Sequence, residues 1–204
     1  MSDRAGASPP RRVVLLAGPS GSGKSTIARA SGLPVVCLDD FYKDGDDPTL
    51  PRSNDLGIVD WDDVRAWHAD RALAALEHLC WEGQADLPVY DISQDRATGS
   101  QHVDVSSHRA FVAEGVFAGE IVRACREAGI LQAALVVRRR PWKNYVRRLA
   151  RDISERRKSP ATLAQRGWLL MRAEPAIVER QCDLGCEPID AQALRVLLAS
   201  LAAG

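Results

Sequence analysis

The sequence predicts an α/β protein with a parallel β-sheet covered by helices on both faces. A glycine-rich loop ending in Lys-Ser lies between a short apolar run and a helical segment, and further apolar runs alternate with helical patterns along the chain. Acidic residues directly follow two of these apolar runs. Because the carboxyl ends of parallel strands meet at one edge of a sheet, the pattern predicts a ligand site at that edge.

The glycine-rich loop matches the phosphate-binding motif G-x-x-x-x-G-K-[ST] in full. The apolar run 13–17 before it predicts a buried strand, and residues 26–30 after it predict a helix. Glycines allow backbone N–H groups to approach phosphate closely. In this setting the lysine reaches the β- and γ-phosphates and the following serine ligates Mg²⁺. We therefore predict a P-loop NTPase-type three-layer sandwich that uses ATP and Mg²⁺, with nucleotide-binding residues Gly18, Pro19, Ser20, Gly21, Ser22, Gly23, Lys24, Ser25 and Thr26.

The remaining elements follow from apolar periodicity and from glycine and proline punctuation. Strands are predicted at 33–38, 110–113 and 133–137, and a polar, acidic loop at 39–61. Helices are predicted at 62–80, 119–128, 142–155, 161–180 and 191–202, with a small β-rich insert after the first of them. Asp62 and Asp63 in the first turn and Gly83 beyond the end support the helix at 62–80.

Length and composition indicate one domain, residues 13–204, after a polar tail at 1–12. The tail has no apolar h-region, and no apolar run approaches the roughly 18 residues of a membrane span, so we expect a cytoplasmic protein without membrane association. The five cysteines lack a zinc-site pattern and are expected to be reduced thiols. The net charge of zero argues against general nucleic-acid binding and favours a small-molecule partner.

Carboxylates follow two of the predicted strands. Asp39 and Asp40 come after the second strand and Glu114 after the third, so they are expected beside the nucleotide phosphates. Phosphoryl transfer needs a group that deprotonates or orients the attacking hydroxyl and an acidic group near the metal. Acidic residues in ordinary turns would give the same sequence. Because Asp39 and Glu114 are expected to converge on the phosphate loop, we favour Asp39 as the base and Glu114 as a metal ligand.

A basic segment follows the last predicted strand of the sheet. Its cations share helical faces at i,i+3 and i,i+4 spacing, as for Arg147, Arg148 and Arg151. A solvated helix is one interpretation, and an arginine-rich lid that neutralises the nucleotide phosphates is the other. We favour the lid because the phosphate loop supplies the anion to be neutralised.

These motifs, in this order, resemble the uridine kinase branch of the P-loop kinases, which includes phosphoribulokinase and pantothenate kinase relatives. The similarity covers residues 13–158 and is carried by the phosphate loop, D-x-F-Y at 39–42, P-V-Y-D at 88–91, Glu114-Gly115, and R-R-x-x-R-D-I-x-x-R at 147–156. The resemblance implies that Asp39 acts as base toward a ribose 5′-hydroxyl and that Glu114 helps to hold Mg²⁺. It further implies a nucleoside pocket lined by Tyr42 and Tyr90, ribose contacts from Asp60 and Arg148, and lid contacts to ATP from Arg151 and Arg156.

The sequence departs from the family pattern where a nucleobase would be recognised. The family has a histidine a few residues after Tyr-Asp, whereas here the run after Asp91 offers Gln94 or Asp95. Trp61 stands where the family has a histidine after the ribose aspartate, and Lys158 replaces a lid arginine. Gln94 offers both a donor and an acceptor to a base edge, so we include it among the candidate substrate-binding residues, while Asp95 stays the alternative.

The lead hypothesis is an ATP-dependent small-molecule kinase with a nucleoside acceptor such as uridine or cytidine. One alternative is a kinase for another small alcohol, pantothenate-like or a sugar phosphate, since the donor half of the site would look the same. Another is a nucleotide-binding regulator without turnover, which the retention of both Asp39 and Glu114 disfavours. The sequence leaves the oligomeric state open, a homo-oligomer included.

Overall fold

The structure, a computed structural model, describes residues 9–19, 21–53, 57–138 and 175–203. The described strands are β1 (Arg12–Ala17), β2 (Val35–Cys37), β3 (Gln84–Asp91), β4 (Arg96–Asp104), β5 (Ala110–Glu114), β6 (Leu131–Val137) and β7 (Glu187–Ile189). The helices are α1 (Lys24–Arg29), α2 (Ala69–Glu82), α3 (Val122–Glu127), α4 (175–183) and α5 (Ala191–Ala203). Short 3₁₀ turns occupy Leu38–Phe41, Val64–Ala66 and Ala118–Ile121. Among the described residues, no helix is long and apolar enough to cross a membrane.

Five parallel strands form the central sheet in the order β2-β5-β1-β6-β7. The central strand β1 pairs with β5 and β6, so that Leu16 lies opposite both Glu114 and Leu135. The edge strands β2 and β7 have three residues each. β7 was not predicted, because it is short and contains no apolar run.

Alternate residues of β1 face two different helical layers. Val13 and Leu15 pack in a core with α2 and α3, whereas Val14 and Leu16 pack in a second core with α1 and α5. All four side chains are fully buried, as expected for a parallel strand covered on both faces. The predicted three-layer α/β architecture is therefore confirmed.

The small β-rich insert is a hairpin outside the central sheet. β3 and β4 pair in antiparallel fashion from Gln84 opposite Asp104 to Asp91 opposite Arg96. β4 is exposed along almost its whole length, whereas β3 packs against α2 and the 3₁₀ turn at Leu38–Phe41. The hairpin therefore lies beside the chain segment that follows β2.

The predicted start of the helix at 62–80 was wrong. Residues 64–66 form a separate 3₁₀ turn that is N-capped by Asp63, and α2 starts only at Ala69. Trp67 is extended, pairs with Tyr42, and donates from Nε1 to the Leu38 carbonyl oxygen over 2.7 Å. This long-range contact, which local periodicity does not encode, breaks the helix.

The first described strand begins one residue before the apolar run at 13–17, and the residue ahead of it makes long-range contacts. β1 starts at Arg12, and the Arg11 guanidinium donates to the carbonyl oxygens of Trp81 and Ser106, each over 3.3 Å. Arg11 thus ties the start of β1 to the end of α2 and to the segment after β4.

The five cysteines are unpaired in the structure, and three of them are buried. Burial is the main cause that raises the thiol pKa of Cys80, Cys125 and Cys186 to about 12. These side chains therefore act as small apolar groups of the core at neutral pH.

Gly83 ends α2 and offers a test of the Arg11 contact. Its φ is +84°, and a Cβ there would lie 2.8 Å from Arg11 Cζ. We expect Gly83→Ala to lower the free energy of unfolding by about 1–2 kcal/mol, because alanine is strained in the left-handed backbone conformation. The loss of the Arg11 contacts should lower it further. Gly32→Ala is the matched control, because Gly32 has φ +82° and open space around it. Urea unfolding that finds equal losses for the two variants would contradict a stabilising role for Arg11.

Candidate active site

The phosphate-binding loop connects β1 to α1 at the carboxyl edge of the sheet. Gly18, Gly21 and Gly23 have φ values of +138°, +81° and +87°, and Gly23 is the N-cap of α1. A Cβ at Gly18 would lie 3.3 Å from the Val137 backbone nitrogen and oxygen, so the loop passes close to the end of β6. The glycines at these positions are thus required by backbone conformation and by close approach.

Lys24 is buried beneath this loop. Its Nζ donates to the Gly18 carbonyl oxygen over 3.1 Å and lies 3.9 Å from Glu114 Oε2. Lys24 is 7% exposed and Glu114 6%. A buried lysine with a neighbouring carboxylate is a fixed cation at the base of the loop, suited to binding an anion.

Asp39 is held against the end of the neighbouring strand β5. Its Oδ1 accepts a hydrogen bond from the Val116 N–H over 3.0 Å. A Cβ at Gly115 would lie 2.9 Å from that oxygen, so glycine is needed for the approach. Burial raises the pKa of Asp39, opposed by the Val116 bond and the Lys24 charge. Asp39 is thereby a carboxylate of increased basicity beside a buried cation.

Asp40 is used differently, although it is adjacent in sequence. Its Oδ1 accepts from the Tyr90 N–H over 3.0 Å, which attaches the β3–β4 hairpin to the turn after β2. The Tyr90 hydroxyl donates to the Lys43 carbonyl oxygen, and Asp44 accepts from the Ala97 N–H. The two acidic side chains therefore diverge, Asp39 toward the backbone after β5 and Asp40 toward the hairpin.

Aromatic side chains cluster beside this pair of aspartates. The Tyr42 ring lies 5.8 Å from Trp61, 5.9 Å from Tyr90 and 5.8 Å from Phe117, measured between centroids. The Tyr42 hydroxyl also donates to the Trp61 carbonyl oxygen over 3.2 Å. Tyr42 and Tyr90, predicted to line one pocket, are thus brought into contact, and Phe117 and Trp61 join them.

Two further predicted substrate-binding residues form hydrogen bonds with near neighbours in the sequence. Asp60 precedes Trp61 in the chain, and its Oδ1 accepts from the Asp62 N–H over 3.1 Å. Gln94 is exposed in the hairpin turn, where its Nε2 donates to Asp91 Oδ2 over 2.7 Å. Gln94 would have to leave this bond in order to contact a ligand with its amide.

Some predicted residues lie outside the described part of the chain. These are Ser20 of the phosphate loop, Arg148, and the lid residues Arg151 and Arg156. Their roles, and the helix at 142–155, stay predictions.

Sequence reasoning missed the main-chain partner of Asp39. The donor is the backbone N–H of Val116. Every residue except proline has such an N–H, so no pattern of side chains in the sequence reveals this contact. The glycine of the Glu114-Gly115 pair indicated a close approach or a turn, but the sequence did not show that Asp39 is the side chain that approaches it.

The residues at this edge fit a nucleoside triphosphate with Mg²⁺. The Ser22 hydroxyl is fully buried, and the described residues provide it with no hydrogen-bond partner. Together with the positive-φ glycines and buried Lys24, this hydroxyl gives the loop the polar groups that bind phosphate. Within the described ranges, no group of three or more His, Cys, Asp or Glu could hold a metal alone. Mg²⁺ needs no such cage, since it takes one or two protein oxygens plus phosphates and water. Ser25 and Glu114, the predicted metal residues, carry oxygens of this kind.

The chain has the fold of the P-loop kinases. It superposes with a TM-score of 0.60 on a protein from Silicibacter sp. TM1040 described as a fructose transport system kinase, at 20% identity over 86% of this chain and 88% of the other. It also superposes with a TM-score of 0.61 on YFH7 from Saccharomyces cerevisiae, described as a P-loop containing kinase with a circular permutation, at 12% identity over 89% and 93% of the two chains.

Similarity at the level of sequence is more limited. The chain is 30% identical over 108 residues, 52% of its length, to the inorganic pyrophosphatase TTM2 of Arabidopsis thaliana. The match spans 15% of that longer protein. No protein-family model matches the sequence.

Proposed function

We propose that this protein is an ATP-dependent kinase that phosphorylates a hydroxyl of a small, nucleoside-like molecule. One observation carries the proposal: Lys24 and Glu114 are buried together at the strand ends where Asp39 is also held. These three residues follow or end three adjacent strands, β1, β5 and β2. The arrangement combines a phosphate-binding cation, a metal-side carboxylate and a base.

The base is Asp39. It accepts the proton of the acceptor hydroxyl while the hydroxyl oxygen forms a bond to the γ-phosphorus of ATP. The bond from that phosphorus to the oxygen of ADP breaks, and ADP leaves with the electron pair. Burial increases the basicity of Asp39, and its bond to Val116 fixes the direction of the carboxylate.

Lys24 and the loop amides bind the phosphates of ATP, and Ser25 and Glu114 hold Mg²⁺. When bound, the metal neutralises charge on the β- and γ-phosphates. Arg151 and Arg156 belong to this proposal as lid residues that bind the same phosphates.

The acceptor side of the site is aromatic. Three partly exposed aromatic side chains, Tyr42, Trp61 and Tyr90, are of a kind that packs against a planar base. Asp60 beside Trp61 supports contacts to ribose hydroxyls. This composition favours a nucleoside over pantothenate-like or sugar-phosphate acceptors.

An acceptor panel tests the proposal. ADP formation with Mg-ATP would be measured for the common nucleosides, pantothenate, D-fructose and sugar phosphates. We expect at least one nucleoside to give the highest kcat/KM, with uridine and cytidine not preferred because the family histidine is missing. Gln94→Ala is expected to change nucleoside preference, with the exposed Gln101→Ala on β4 as control.

The outcomes separate the alternatives. Efficient phosphorylation of uridine or cytidine that is indifferent to Gln94 would show that another part of the site reads the base. Turnover of only a non-nucleoside alcohol would leave the kinase assignment and overturn the acceptor class. ATP binding without transfer to any acceptor would favour a nucleotide-binding regulator.

A further inference from the structure

The turn after β5 is held from outside the sheet by α4. The Arg180 guanidinium donates to Glu120 Oε1 over 2.6 Å, and the neighbouring Gln181 enters the protein beside Gly119. A Cβ on Gly119 would collide with Gln181 Oε1, so the glycine makes room for the amide. α4 thus contacts this turn through an ion pair at the surface and an amide in the interior.

The buried amide reaches the backbone that holds Asp39. Gln181 Nε2 donates to the Val116 carbonyl oxygen over 3.4 Å, while the Val116 N–H donates to Asp39 Oδ1 over 3.0 Å. Val116 is therefore bonded on both sides, by its N–H to the proposed base and by its C=O to α4. Because both groups flank the Val116 Cα, a displacement of this residue would change both distances.

Gln181 is an unusual residue for this position if packing alone matters. It is 4% exposed, and its Oε1 has no hydrogen-bond partner among the described residues. A buried, unpaired amide oxygen destabilises a fold, and methionine would occupy a similar volume without that penalty. The bond to Val116 is the interaction that methionine could not make.

We propose that Gln181 is a positioning residue for Asp39 and acts through the Val116 backbone. The inference rests on the proposed role of Asp39 as base. Gln181 fixes the Val116 carbonyl, the Val116 N–H then fixes the Asp39 carboxylate, and the carboxylate is aligned for the acceptor hydroxyl. A displacement of the base on the order of 1 Å is enough to lower turnover strongly.

The test uses Gln181→Met in the full chain. We expect kcat for ADP formation, with the best acceptor of the panel, to fall about tenfold while KM for ATP changes less than about twofold. The exchange rate of the Val116 amide proton, followed by NMR, is expected to rise. Arg180→Ala is the matched control, because it removes the adjacent contact of α4 to the same turn and leaves the Val116 bonds in place.

A double-mutant cycle separates positioning from general structural damage. If Gln181 acts through Asp39, Gln181→Met should lower kcat in the wild-type background and have no further effect in Asp39→Asn. An equal fold-loss in both backgrounds would overturn the proposal. If Gln181→Met fails to fold, Gly119→Ala displaces the same amide and should give the same pattern.

The exchange measurement keeps this inference distinct from the proposed function. Unchanged Val116 exchange in Gln181→Met would overturn the positioning role whether or not the protein turns over an acceptor. Faster exchange in a protein inactive toward every acceptor would support the link from Gln181 to Val116 and overturn the kinase assignment instead.

Discussion

Replacing Lys24 with alanine is expected to lower kcat/KM for phosphoryl transfer by about a thousandfold. The Lys24 ammonium is buried under the phosphate loop, 3.1 Å from the Gly18 carbonyl oxygen and 3.9 Å from Glu114. Removing it takes away the fixed cation and leaves the Glu114 carboxylate buried beside the phosphates, where it repels them. ADP formation with the best acceptor and titration of ATP binding would measure both effects.

Arg29→Ala is the control for the Lys24 variant. Arg29 lies on the same helix, is exposed, and carries the same charge, so its loss should leave turnover close to wild type. Near-wild-type turnover in Lys24→Ala would remove the phosphate-loop assignment. Thermal unfolding of both variants would check that a loss of activity is not a loss of folding.

Replacing Asp39 with asparagine should lower kcat by about 10²- to 10⁴-fold with little change in ATP affinity. Asparagine keeps the oxygen that accepts from the Val116 N–H but has no basic carboxylate. The backbone arrangement should therefore survive while proton acceptance is lost. Single-turnover kinetics together with ATP titration would distinguish the chemical step from binding.

Asp40→Asn is the paired variant, since Asp40 is the adjacent residue. Its amide oxygen can still accept from the Tyr90 N–H, so the hairpin stays attached and turnover should remain close to wild type. If the Asp40 variant loses activity and the Asp39 variant keeps it, the roles within this pair are reversed.

Much of the sheet and the positions of the acidic residues could be predicted, because parallel strands place consecutive motifs at one edge. The phosphate loop, Asp39 and Glu114 follow or end strands that are adjacent in the structure, as apolar runs and flanking residues indicated. Lys24 and Glu114 approach each other for that topological reason. The chemical roles of these residues stay predictions until variants are measured.

The features that the sequence did not reveal depend on contacts between distant residues. The indole of Trp67 bonds to the Leu38 carbonyl and delays the start of α2, although Asp62 and Asp63 are typical of a helix start. Gln181 lies in an ordinary helical pattern, and only the fold brings its amide to Val116. Neither contact produces a periodicity or a motif that could be recognised in the sequence.

The edges of the central sheet determine whether two copies of this protein can pair through these strands. β2 and β7 have three residues each, and Pro188 in β7 has no N–H to offer an incoming strand. Such short edge strands are poor templates for pairing with a strand of another molecule. Intermolecular strand pairing of this kind is one route to cross-β aggregates. Among the described strands of the central sheet, β2 and β7 therefore disfavour strand pairing between copies.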